Sequence, residues 1–127
     1  MIKNLLAIFL VLHGLIHLIG FVVPWKIIQT SDFPYTTTIL AHKLDLGPVG
    51  VRLIGILWLL AAFLYVVAGY GLWTLAPWWQ GYTLGVTAFS LVLCVIGWPE
   101  AQFGLYIDVV LLALLLFGGR IGIEFLQ

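Results

Sequence analysis

Two histidines, His13 and His17, stand four residues apart in the first apolar stretch of the chain. Side chains four residues apart lie on one face of an α-helix, so both imidazoles can reach the same ion or ligand. A carboxylate from another helix would complete a two-histidine, one-carboxylate site of the kind that binds zinc or iron. Asp108 is the predicted third ligand, Glu100 is a further candidate, and a divalent metal is the predicted cofactor. A proton relay is the alternative for the same residues, since histidine titrates near neutral pH.

The composition indicates where such a site would lie. Of the 127 residues, 64% are apolar and only 8% are charged, and the mean hydropathy is +1.21. Soluble domains are about half apolar and about a quarter charged, so a soluble enzyme, a disordered chain and a nucleic-acid binder with a basic surface are excluded. A single cysteine excludes an internal disulfide framework. The chain is predicted to be a membrane protein, with the lipid bilayer as its partner.

Two long segments without charge, residues 4–25 and 53–99, set the number of crossings. A helix needs about 20 apolar residues to span the hydrocarbon core, so the second segment holds two crossings and a turn. Glycine, proline and tryptophan mark that turn within residues 69–81 and another at 97–100. The sequence predicts one domain, residues 1–127, with four crossings at about 4–23, 49–72, 79–97 and 103–123.

The only long connection, residues 24–47, is predicted to contain a short surface helix. Thr36 to Thr38 offer hydroxyls for an N-cap, apolar residues share a face behind them, and Gly47–Pro48 ends the segment. The predicted fold class is therefore all-α: a polytopic membrane protein with a four-helix bundle and a short surface helix between helices 1 and 2.

Each crossing carries one stripe of small or polar residues, and membrane helices pack through such stripes. The hydroxyls within the stripes are predicted to return to a backbone carbonyl one turn earlier. The four stripes, taken along the chain, are His13, His17 and Gly20; Arg52, Gly55, Ala62 and Gly69; Thr83, Thr87, Ser90, Cys94 and Gly97; and Gly104, Asp108, Leu115 and Gly122.

The ionisable groups of these stripes gather in one half of the bilayer. At about 1.5 Å per residue, His17 lies about 9 Å and His13 about 15 Å from the end of crossing one. Arg52 and Asp108 lie about 6 Å and about 7 Å inside their crossings, counted from the same side. Ionisable groups at such depth indicate function. The structural alternatives are that Arg52 and Asp108 simply neutralise each other, and that His13 and His17 each donate to a carbonyl or to a serine or threonine on a neighbouring helix. The predicted ligand-binding residues are His13, His17, Arg52, Glu100, Gln102, Tyr106 and Asp108.

The string HGLIHLIGF at residues 13–21 is distinctive. Together with residues 55–62 and 98–104, it resembles a family of small four-helix bacterial integral membrane proteins with an HGxxHxxGF motif in the first helix. The resemblance implies a multi-pass protein of the bacterial inner membrane and implies no reaction.

Three functions remain open on the sequence. The first is a polar intramembrane pocket near one membrane face that binds a small lipid-like or quinone-like molecule or a metal ion. The second is a structural or accessory subunit of a larger membrane complex, in which the polar residues serve only helix association. The third is a small-solute transporter, which would require a homo-oligomer because one bundle is too thin to enclose a path. The sequence does not decide whether the chain is an enzyme, nor its orientation.

Overall fold

The computed structural model describes residues 2–29, 31, 33–120 and 122. Five helices and one small hairpin follow one another along this part of the chain. In order they are α1 (Ile2–Ile16), α2 (Ile19–Val22), β1 (Thr38–Ile39), β2 (Leu44–Asp45), α3 (Gly47–Trp73), α4 (Trp79–Ile96) and α5 (Gln102–Phe117).

Three helical stretches are long and apolar enough to cross a membrane: Ile2–Val22, which joins α1 and α2, Gly47–Trp73 and Trp79–Ile96. The fourth predicted crossing is shorter, because α5 has 16 residues, which rise about 24 Å against a hydrocarbon core of about 30 Å. It ends where Gly118 and Gly119 follow, since glycine disfavours helix. The predicted limit at 123 lies outside the described residues.

Helix α3 is the centre of the bundle. It packs against α1, α2 and α4, and α4 packs in turn against α5. Small residues and leucines fill the interior, which includes Leu10, Ala68, Leu72, Leu111 and Leu115. The outer faces carry large exposed apolar side chains such as Phe63 and Val110, a surface suited to lipid rather than water.

The first crossing is bent between α1 and α2. The His17 N–H bonds the Gly14 carbonyl and the Leu18 N–H bonds the Leu15 carbonyl, which are the tighter i→i−3 contacts of a 3₁₀ turn. The bend therefore leaves the His13 carbonyl, which the His17 N–H would bond in a regular helix, available to another donor.

The predicted surface helix between the first two crossings is wrong. The segment forms an antiparallel hairpin in which Thr38 pairs with Asp45 and Ile39 with Leu44. Its tip, residues 40–42, has three consecutive positive φ angles, 54°, 57° and 65°. The tip also donates hydrogen bonds outside itself, from Leu40 N–H to the Ile96 carbonyl and from Ala41 N–H to the Trp98 carbonyl, both at 2.9 Å. Carbonyls at a helix end lack partners within the helix, so the hairpin is held by satisfying the end of α4.

Candidate functional site

Asp108 is the centre of a buried hydrogen-bonded cluster. It lies on α5 with no exposed surface. Its Oδ1 accepts a hydrogen bond from the Tyr65 hydroxyl at 3.0 Å and lies 2.9 Å from His13 Nε2. Its Oδ2 accepts from the Ser90 hydroxyl at 2.6 Å and from the Cys94 thiol at 3.6 Å. The carboxylate of α5 thus contacts side chains from three other helices, α1, α3 and α4.

The bend in the first crossing orients His17. Its Nδ1–H donates to the His13 carbonyl at 2.8 Å, the carbonyl that the bend leaves free. A carbonyl only accepts, so this contact fixes a hydrogen on Nδ1. The opposite nitrogen, Nε2, is directed into the cluster and lies 2.6 Å from Ser90 Oγ.

Ser90 joins His17 to Asp108, and its contacts constrain the hydrogens of the cluster. The hydroxyl has one hydrogen, whereas Oγ lies 2.6 Å from His17 Nε2 and 2.6 Å from Asp108 Oδ2. One hydrogen cannot serve both contacts. The two hydrogen bonds of Ser90 therefore form at the same time only if a further hydrogen is present on His17 Nε2 or on Asp108 Oδ2.

His13 packs among aromatic rings. Its imidazole meets the rings of His17 and Tyr65 edge-on, at centroid distances of 4.8 Å and 4.9 Å, and stacks parallel to Phe9 at 5.9 Å. These contacts fix the plane of the ring, so that Nε2 faces Asp108. His13 Nδ1 is buried and has no hydrogen-bond partner among the described residues.

Gly14 permits the close contact of α1 and α3 that brings these groups together. A Cβ at this position would lie 2.5 Å from Tyr65 Cβ and 3.0 Å from the Ala62 carbonyl oxygen. Gly20 does the same for α2 and α3 one level nearer the hairpin, where a Cβ would overlap the Trp58 indole. The glycines of the HGxxHxxG pattern therefore set the helix spacing that the histidines require.

A cavity of about 260 Å³ extends from this cluster to the hairpin end of the bundle. His13, His17 and Cys94 lie at its buried end, where the Trp58 ring covers His17 at a centroid distance of 5.3 Å. The walls are almost entirely apolar. They include Ile16, Ile19, Val23, Val51, Ile54, Ile96, Phe103 and Ile107.

The hairpin and the α4–α5 turn form the other end of the cavity. Residues 36, 38, 39, 41 and 42 line it from the hairpin side, and residues 96–98, 100 and 101 from the turn. His42 Nε2 lies 3.6 Å from Glu100 Oε1, so the two segments are also joined by a pair of polar side chains.

The predicted site residues divide into two groups. His13, His17 and Asp108 lie together, and Glu100 lines the cavity. Arg52, Gln102 and Tyr106 do not line it. Arg52 is exposed, with its guanidinium 5.7 Å from the Trp25 ring centroid, and Tyr106 is 53% exposed.

A shift of one position along α3 explains why Arg52 does not line the cavity. Successive residues on a helix point about 100° apart, and Val51 is buried and lines the cavity beside the exposed Arg52.

Asp108 is paired with His13, so the alternative in which Arg52 neutralises it is wrong.

The roles of Ser90 and Tyr65 in the cluster were not predicted from the sequence. Ser90 was expected to bond a carbonyl of its own helix, as Thr83 and Thr87 do at 2.6 Å and 2.8 Å, but it donates to Asp108 instead. Tyr65 was not singled out. The signal for it is its place in a stripe on α3 at spacings of three and four, namely Gly55, Trp58, Ala62, Tyr65 and Gly69.

The cluster also brings together atoms that could hold a metal ion. One nitrogen from each of His13 and His17 and one oxygen of Asp108 lie within 4.8 Å of one another, and all three residues are buried.

No protein-family model, curated protein or solved structure matches the chain.

Proposed function

We propose that the chain is an integral protein of the bacterial inner membrane that binds a small, largely apolar molecule with one hydrogen-bonding head group. The observation that carries this proposal is the apolar cavity that ends on His13 and His17. Apolar walls with a few convergent polar groups are typical of small-molecule sites.

The chemistry of the cavity defines the ligand class. Apolar walls bind a hydrocarbon body and reject a body that would need several hydrogen bonds. At the buried end, the imidazoles of His13 and His17 lie where a carbonyl, hydroxyl or carboxyl head would arrive. A quinone and a single-chain lipid both have this form, a polar head on an apolar body.

The size of the cavity supports a ring or a head group rather than a whole lipid. An engineered cavity of about 150 Å³ accommodates benzene, so about 260 Å³ holds a substituted ring. A longer tail would leave between the helices into the surrounding lipid, since the outer faces of the bundle are apolar.

Direct binding measurements on the purified protein in detergent micelles test the proposal. Decyl-ubiquinone and lauric acid serve as probes for the quinone-like and the lipid-like ligand. The variant Ile54→Phe fills the cavity from its wall, and we expect it to weaken binding of the accepted probe at least about 10-fold, the loss that corresponds to about 1.4 kcal/mol. Ile56→Phe is the matched control, because Ile56 is 44% exposed on the outer face of the same helix.

Two results would overturn the proposal. One is that neither probe binds saturably to the folded wild-type protein. The other is that Ile54→Phe and Ile56→Phe bind the probe equally well, since binding would then occur on the outer surface. Saturation by only one probe decides between the quinone-like and the lipid-like ligand.

A further inference from the structure

We propose that His13, His17 and Asp108 form a binding site for one divalent metal ion, zinc or iron(II), at the buried end of the cavity. The inference goes beyond the binding of an apolar molecule and does not require it. It rests on three observations: the spacing of the donor atoms, the orientation of the His17 imidazole, and the burial of the Asp108 carboxylate.

The donor atoms are close enough to share an ion. The candidate atoms of the three residues lie within 4.8 Å of one another. Ligands of a tetrahedral zinc ion at about 2.0–2.1 Å lie about 3.4 Å apart. Side-chain rotations need to bring the donor atoms at most about 1.4 Å closer together, and His13 Nε2 and Asp108 Oδ1 are already 2.9 Å apart.

The imidazole of His17 is oriented as in established metal sites. Metal-bound histidines donate the other ring N–H to a backbone carbonyl or a carboxylate, which fixes the tautomer and the ring plane. His17 Nδ1–H donates to the His13 carbonyl at 2.8 Å, and this directs Nε2 into the cluster. The Tyr65 hydroxyl, which bonds Asp108 Oδ1 at 3.0 Å, supports the carboxylate ligand in the same way.

Asp108 is fully buried, and its basic partner among the described residues is His13, an imidazole that carries charge only when protonated, rather than a lysine or an arginine. A buried carboxylate is costly unless it is paired or coordinates a metal. A divalent cation between Asp108 and two imidazoles would supply the compensating charge. Two imidazoles and one carboxylate suit zinc or iron(II) and leave a coordination position open.

Cobalt(II), an optical stand-in for zinc, tests the site. The detergent-purified protein is freed of metal with a chelator and titrated with Co²⁺, whose visible absorption reports coordination. We expect one Co²⁺ per chain, displaced by Zn²⁺. His17→Ala and Asp108→Asn should each weaken binding at least about 100-fold, the upper range seen when even a supporting partner is lost.

The third histidine of the chain gives the matched control. His42 is exposed in the hairpin and pairs with Glu100, so His42→Ala should bind Co²⁺ like the wild type. If the His17 or Asp108 variant fails to fold, pulsed electron paramagnetic resonance on the wild-type protein loaded with Cu²⁺ counts the imidazoles directly, and two are expected.

The proposal is overturned if the folded wild-type protein binds no Co²⁺ stoichiometrically, if His42→Ala loses as much affinity as His17→Ala, or if fewer than two imidazoles are coupled to Cu²⁺. Its failure is separable from that of the apolar ligand. Decyl-ubiquinone and lauric acid are measured on metal-free protein, and Ile54→Phe, which changes a wall residue and leaves all three ligands in place, should keep Co²⁺ binding.

Discussion

At the scale of single residues, Asp108 concentrates the polar contacts of the bundle interior. Its two oxygens accept from Tyr65, Ser90 and Cys94 and contact His13. Hydrogen bonds to a charged group contribute about 1.5–3 kcal/mol each, whereas neutral ones contribute about 0.5–1.5 kcal/mol. Removal of a donor to Asp108 should therefore cost more than removal of a similar donor to a carbonyl.

The tyrosines Tyr65 and Tyr82 allow that comparison with one substitution. Tyr65→Phe removes the donor to Asp108, and Tyr82→Phe removes a donor to the Leu64 carbonyl, both made at 3.0 Å. We expect the free energy of unfolding to fall by about 2 kcal/mol for Tyr65→Phe and by about 1 kcal/mol or less for Tyr82→Phe. Denaturant unfolding in mixed micelles measures both. Equal losses would contradict a charged acceptor at Asp108.

At the scale of elements, the contact of α1 with α3 depends on a missing side chain. At Gly14 an added methyl group would lie 2.5 Å from Tyr65 Cβ, so Gly14→Ala forces the helices apart at the level of the cluster. Overpacking of this kind costs about 1–3 kcal/mol. We expect that loss of stability, together with weaker Co²⁺ binding, because Tyr65 and His13 are displaced.

Gly85→Ala is the control for that prediction. Gly85 lies inside α4, and a Cβ there would meet no atom within 4 Å. The substitution should therefore leave Co²⁺ binding unchanged and raise the stability by up to about 1 kcal/mol, the helix preference of alanine over glycine. Should Gly14→Ala behave like Gly85→Ala, α1 and α3 are not in the close contact described.

The helices could be predicted from the sequence more fully than the connections. The predicted crossings at 49–72 and 79–97 agree closely with α3 and α4, because long uncharged runs and flanking tryptophans are local signals. The hairpin could not be predicted, since it is held by the carbonyls of Ile96 and Trp98, which are remote in sequence.

The depth of the candidate site residues in the membrane could be predicted from the sequence, but the direction in which each side chain faces around its helix axis could not. Counting residues from the ends of the crossings placed His13, His17 and Asp108 in the same half of the bilayer, and they lie together. Arg52 and Tyr106 have comparable depth yet face outward. Their helices are apolar on every side, so only the small-residue stripe indicates the inner face, and a shift of one residue moves a side chain by about 100°.

At the scale of the whole molecule, the bundle is covered at one end by a connection whose described residues contribute nothing to the central core. That core lies among α1, α3, α4 and α5, whereas the hairpin contacts the end of α4 and the cavity. Folding of the helices and closure of the cavity are therefore separable, and the single cysteine of the chain can report on closure. Cys94 is 1% exposed and lines the buried end of the cavity.

Replacing residues 39–44 by two glycines removes the tip of the hairpin and both of its bonds to the end of α4. The new ends, Thr38 and Asp45, are paired in the hairpin, and a two-residue turn joins paired strands. We expect the variant to keep its helical circular dichroism while Cys94 reacts at least about 10-fold faster with a small water-soluble maleimide, because opening a closed site by about 1.4 kcal/mol raises its accessible population tenfold. Adding Ile54→Phe to the shortened chain should slow the reaction again by filling the path. An unchanged rate in a folded variant would show that water reaches the cluster by a route other than the hairpin end.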